Sequence, residues 1–115
     1  MTIRRYEISA EFWSHNASLV VEFDDEKFPL TTFEEINRFW SGDQSRLDLA
    51  GGNVVVAVLR MLAMRTWTDH DFEADLEAGR AEGWPQLGRS AGFRICHVDM
   101  PEIESADVEV VEVAL

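Results

Sequence analysis

NVVVAVLRMLAMRTW, residues 53–67, is the stretch whose reading decides the fold. Val is a poor helix former, so a strand through 54–59 competes with a helix. The MLAM continuation decides for the helix, because the apolar run is longer than the roughly 4–8 residues of an ordinary strand. Asn53 stands where an N-cap belongs. On a helical wheel Val55, Val58, Leu59 and Leu62 form the main stripe, and Val56, Met64 and Trp67 fall on the back, around Arg60. A helix apolar on two sides is either central in the core or covered by a second subunit, so a homodimer enters as a candidate state.

Outward from this helix, both flanks alternate with period two, the mark of half-buried strands. In IRRYEISAEFW (3–13), Tyr6, Ile8, Ala10 and Phe12 face one way, and Arg5, Glu7, Ser9 and Glu11 the other. SHNA supplies a turn, and SLVVEFD resumes with Leu19, Val21 and Phe23 inward, which predicts an antiparallel hairpin. On the far flank, GFRICHVDM predicts a strand with Phe93, Ile95 and His97 on one face and Cys96 and Val98 on the other. PEIESA turns the chain into DVEVVEVAL, the fourth strand. Its alternation slips between Val110 and Val111, as a bulge or a strand covered on both faces would require.

A first helix follows Pro29. Thr31 and Thr32 stand three residues before Glu34 and Glu35, the spacing of a capping box. Phe33, Ile36 and Trp40 share one helical face, and Gly42 is the expected stop. SGDQSRLDLAGG reads as a loop with one helical turn around Leu47 and Leu49. TDHDFEADLEAGRAEG has only Phe72 and Leu76 as large apolar residues, enough for a short, loosely held surface helix or a loop. The order β-β-α-α-(α)-β-β predicts one α+β domain over 1–115. It is a two-layer fold, a four-stranded antiparallel sheet with helices packed on one face.

Phe-Trp-Ser-x-x-x-Ser occurs twice, as FWSHNAS (12–18) and FWSGDQS (39–45). The first closes a period-two run and the second a helical one. A duplicated unit would keep its secondary structure, so the match reads as coincidence.

The formal charge of −12 is uneven: residues 1–68 carry net −3 and residues 69–115 net −9. Such a chain repels phosphate, which argues against direct nucleic-acid binding and against anionic membranes. Its field attracts basic proteins and cations as partners, unless the acidity merely keeps a small domain soluble. Asp69, Asp71, Glu73, Asp75 and Glu77 are the candidate acidic surface. The N-terminus lacks an apolar run behind its arginines, so no secretory signal is expected. The longest apolar run, broken by Arg60, falls short of the roughly 20 residues of a membrane span. With one cysteine, Cys96, no intrachain disulfide can form, which agrees with a cytoplasmic location.

Catalytic signatures do not emerge. Cys96 and His97 are adjacent, so on a strand they point apart and cannot share a proton. A buried small thiol is the expected role of Cys96. His15 falls in a turn. Asp69, His70 and Asp71 lack the spaced second His or Cys that structural zinc needs. No cofactor or metal is expected, and the protein reads as a non-enzyme. The tryptophans are the remaining signal. Trp13, Trp67 and Trp84, with Val56 and Met64, are the candidate interaction surface, because Trp is favoured at interfaces. They would equally serve to cap a second small cluster.

The runs INRFWSG, RLDLAGG and NVVVAVLRMLA, with GW and GFRI after them, resemble a small uncharacterised proteobacterial protein family of unknown function, associated with phages or mobile elements. The resemblance covers most of the chain. It implies a cytoplasmic accessory role and transfers no functional residue. Three functions compete: a small non-catalytic interaction or accessory protein, an acidic decoy that occupies the basic site of a nucleic-acid-binding protein, and an enzyme of unrecognised type using Cys96 or a carboxylate pair.

Overall fold

The apolar stretch at the centre of the chain does form a helix, and the alternating flanks form one sheet around it. The computed structural model describes residues 2–11, 16–69, 71–88, 91–99 and 108–113. Its elements are β1 (Ile3–Glu11), β2 (Asn16–Asp24), α1 (Leu30–Phe39), α2 (Asp43–Leu49), α3 (Val54–Thr68), α4 (Phe72–Ala78), β3 (Phe93–Asp99) and β4 (Val108–Val113). The sheet is antiparallel throughout, in the order β3-β2-β1-β4. The fold is α+β, with the helices on one face.

The inner face of the sheet is built by alternate residues. Ile8 and Ala10 from β1 and Ala17, Leu19, Val21 and Phe23 from β2 are buried against the helices. Phe23 organises the aromatic end of this core. Its ring stacks on Tyr6 at 5.7 Å and on Phe93 at 5.9 Å, and meets Phe33 of α1 edge-on at 5.0 Å. Each such side chain contributes about 1.5–3 kcal/mol by leaving water.

Asn53 caps α3 as its sequence position implied, its side chain accepting from the backbone N–H of Val55 at 3.0 Å and of Val56 at 3.3 Å. The helix is central. Val54, Ala57, Val58, Leu59, Leu62, Ala63, Thr66 and Trp67 are all buried, whereas Val55, Val56 and Met64 are half-buried. On the back of this helix Trp67 is buried and Met64 packs against the core of the chain itself.

Three local expectations are corrected. Pro29, extended at φ −77° and ψ 172°, is the N-cap of α1, and no threonine side chain caps it. The helix starts two residues earlier than a capping box at Thr31 would allow. Gly42 does not end α1. It adopts φ +82° as the N-cap of α2, a helix where a loop with a single turn was expected. What makes α2 a regular part of the fold is Arg46. Its guanidinium donates to the Asn37 side chain (2.8 Å) and to the backbone carbonyls of Asn37 (2.7 Å), Trp40 (2.8 Å) and Ser41 (2.8 Å). It thereby satisfies the otherwise orphaned C-terminal carbonyls of α1.

The two edge strands reverse the expected regularity. β4 pairs with β1 without a register shift, so Val110 lies opposite Ile8 and Val111 opposite Glu7, on the other face. The irregularity is in β3. Val21 lies opposite Ile95 but Val20 lies opposite His97, leaving Cys96 as the extra residue of a bulge. The bulge flips the alternation. Val98, not His97, joins Phe93 and Ile95 against the core, and His97 is exposed.

Candidate functional site

The outer face of the sheet is left uncovered by the helices. Arg5, Glu22 and Arg94 stand directly opposite one another on β1, β2 and β3. Glu22 joins the other two. Arg5 Nη2 lies 3.0 Å from its Oε1, and Arg94 Nη2 donates to its Oε2 at 2.9 Å. The hydrogen bond from Arg94 holds the Glu22 carboxyl below the usual glutamate range, and the positive charges of Arg94 and Arg5 add to it against the opposing effect of burial. Such cross-strand charge pairs are the stabilising unit of a sheet surface.

Around this row the face mixes charge with apolar groups. Ile3, Val20 and Val113 are half-buried and Val111 is 48% exposed. Arg5 and Arg94 share this face with Glu7, Glu22 and Asp24, and the strand register sets Glu11, Asp99 and Glu109 on it as well, so the face is acidic like the rest of the chain. The bulge brings the Cys96 thiol close to Arg94 and Glu22, and the cysteine is exposed, not buried as expected.

A cleft of about 420 Å³ lies between α4 and β3. Arg5, Arg94 and Cys96 line it together with Glu73 and Glu77 of α4 and the apolar side chains of Leu76, Leu87, Phe93 and Ile95. Burial, and then the neighbouring Glu77, push the Glu73 carboxyl above its ordinary range. The Arg5 Nε is buried and has no hydrogen-bond partner.

Among the described residues of the predicted interaction surface, both tryptophans are buried. Trp67 and Trp84 are 4% and 8% exposed and belong to the core. The Trp67 indole donates to the Ser18 carbonyl at 3.3 Å, and Trp84 meets Phe72 edge-on at 5.6 Å. They take the alternative role, closing the core beside α4. Met64 packs on that core, Val56 is half-buried, and Trp13 lies outside the described residues. The predicted acidic surface divides. Asp69 pairs with Arg65 at 3.7 Å and Asp75 with Arg80 at 3.4 Å, while Glu73 and Glu77 line the cleft and Asp71 is exposed beside α4. His15 and His70 lie outside the described residues. Among the described residues no group of three metal-ligating side chains comes together.

The family model described as "Protein of unknown function (DUF2528)" matches residues 18–110, from the first half of β2 into β4. The chain belongs to this family. As a DUF2528 protein it is similar to "Protein ea10" of Escherichia phage lambda and to "Lambda prophage-derived protein ea10" of Escherichia coli O6:H1 (strain CFT073). Each is 31% identical over 123 residues, covering 97% of this chain and 98% of the relative. The resemblance carried by INRFWSG, RLDLAGG and NVVVAVLRMLA is thereby shown, together with its phage association. No solved structure matches the chain. The DUF2528 match takes in Glu22 and Arg94 and leaves Arg5 outside its span.

Sequence reasoning missed the Arg5–Glu22–Arg94 row. Half of it was accessible: once residues 3–11 and 16–24 form a hairpin, Arg5 falls opposite Glu22. Arg94 was not, because nothing in the chain announces that β3 pairs with β2 and not with β1.

Proposed function

We propose that this protein is a non-catalytic accessory domain that binds a partner protein on the open face of its sheet. The observation that carries this reading is the apolar surface that this face keeps between its paired charges. Ile3, Val20, Val111 and Val113 stand there beside the Arg5–Glu22–Arg94 row, and Val111 is 48% exposed. Uncovered sheet surface of this kind, with charge paired internally and apolar groups between, suits protein contact. The exposed apolar residues of the helix layer are less suited. Leu30 begins α1, Phe39 ends it and Leu49 ends α2, each a single exposed residue at a helix end. Scattered exposed residues of that sort are ordinary.

The acidic-decoy reading is weaker, because a decoy needs its carboxylates ranked along one surface and the acids around α4 are divided. An enzyme built on Cys96 is weaker too, since the thiol's described charged neighbours are Arg94 and Glu22, with His97 set beyond the bulge. No helix among the described residues is long and apolar enough to cross a membrane. We place the accessory role in the cytoplasm, as the single cysteine suggests.

The test is affinity capture of the tagged protein from its host's lysate, washed at low and at high salt. The expected result is a protein partner retained at both, because apolar contact outlasts screening of the charges. The Cys96→Ser variant should capture it equally. Capture of nothing at either salt, or a partner lost with Cys96→Ser, would overturn the reading.

A further inference from the structure

The cleft between α4 and β3 has features that the open-face reading leaves unused. Its volume of about 420 Å³ is that of a small-molecule site. Its lining carries both signs of charge, and the two sets do not neutralise each other. Arg5 and Arg94 pair with Glu22, whereas no ion pair or hydrogen bond engages the side chain of Glu73 or Glu77 among the described residues. Glu73 and Glu77 are one helical turn apart on α4, like charges held side by side. Burial and Glu77 disfavour the ionised form of Glu73, as expected of a carboxylate lacking its cation.

The basic side is incomplete in a complementary way. Arg5 gives Nη2 to Glu22, but its Nε is buried with no acceptor. Buried donors without partners are uncommon in folded proteins, and each calls for an explanation. The Arg5 Nε is closed off from the cleft, whereas Arg94, half exposed there, gives Nη2 to Glu22 and has further N–H donors for a carboxylate oxygen entering the cleft. Leu76 and Phe93 add apolar surface to the same lining.

We infer that this cleft binds a small zwitterion with an ammonium and a carboxylate separated by an apolar spacer. The ammonium is taken by Glu73 and Glu77, and the carboxylate by Arg94 with Arg5 beside it. A ligand of one charge satisfies one side and leaves the other as it was, so both charges are required. The acidic field of the chain draws in the ammonium end. This inference stands apart from partner binding and does not require it.

A length series tests it. Isotope-labelled protein is titrated with glycine, γ-aminobutyrate and ε-aminocaproate at fixed ionic strength, and amide shifts are followed by NMR. Hexylamine and hexanoate are the single-charge controls. The expected result is a saturable shift around residues 73–77 and 93–96, tightest for one spacer length, with both controls about tenfold weaker or worse. Glu73→Gln with Glu77→Gln should weaken the best ligand by about tenfold while leaving the thermal melt intact, because neither carboxylate holds an ion pair. Absence of a saturable shift for every member, an equal response to a single-charge control, or unchanged affinity in the double variant would overturn the inference.

Discussion

Leu19 and Val20 are neighbours on β2, yet they belong to different surfaces. Leu19 is fully buried under the helices, and Val20 is half-buried on the open face, opposite His97. The same alternation separates Val110 from Val111 on β4. One face is closed by aromatic and aliphatic packing around Phe23 and α3. The other is held by a row of paired charges and left uncovered. The difference teaches that stability and recognition are drawn from alternate residues of the same strands. A substitution can remove one and spare the other.

The largest effect should come from testing neighbours on opposite faces. Leu19→Ala should cost about 3 kcal/mol, since it opens a cavity in a closed core, and Val20→Ala less than about 1 kcal/mol. Urea denaturation of the two variants measures both. Equal losses would mean that the outer face is packed too. Next comes the tie that holds the helix layer together. Arg46→Ala should cost about 2 kcal/mol, because it strips the donor from Asn37, Trp40 and Ser41 and leaves a buried asparagine short of a partner. A melting temperature that does not move would show that the helix end is satisfied by water.

On the open face the effects are smaller and depend on pH. The Glu22 carboxyl titrates lower in the folded chain than the ordinary 4.5, so its contribution is present above that value and lost as pH falls through the folded one. Wild type should therefore exceed Glu22→Gln in stability at neutral pH, and the gap should close in acid. A gap independent of pH would break the assignment. Glu73 has the opposite sign. Its folded value is raised, so the stability it contributes exists below 4.5 and disappears as pH rises through the folded value. Glu73→Gln should stabilise the neutral protein by at most about 0.5 kcal/mol and make no difference in acid. Melting curves at the two pH values decide it.

Much of this division between faces is legible in the amino-acid sequence. Period-two patterning locates the strands on both flanks, and Asn53 with the length of residues 54–68 fixes the central helix. Three features are hidden, each for a physical reason. The bulge at Cys96 depends on how β3 registers against β2, a long-range pairing that local alternation does not encode. The slip read at Val110 and Val111 arises because an edge strand can carry valines on both faces without losing register. α2 depends on Arg46 reaching back to α1, a contact that leaves no periodic trace in a seven-residue helix. The tryptophans mislead as surface markers because a central helix has no true back. A helical wheel with one buried side puts Trp67 in solvent, whereas α3 is packed around more of its circumference than that.

The central claim is that the open face binds a partner protein, and paired variants test it most directly. Val111 on the open sheet face and Leu30 at the start of α1 are comparably exposed, at 48% and 55%. Val111→Lys and Leu30→Lys should both fold with melting temperatures near that of wild type, which circular dichroism would check. Affinity capture from host lysate is then compared for the three proteins. The account predicts that Val111→Lys loses the partner and Leu30→Lys keeps it. Retention by Val111→Lys together with loss by Leu30→Lys would contradict it and move the binding surface to the helix layer.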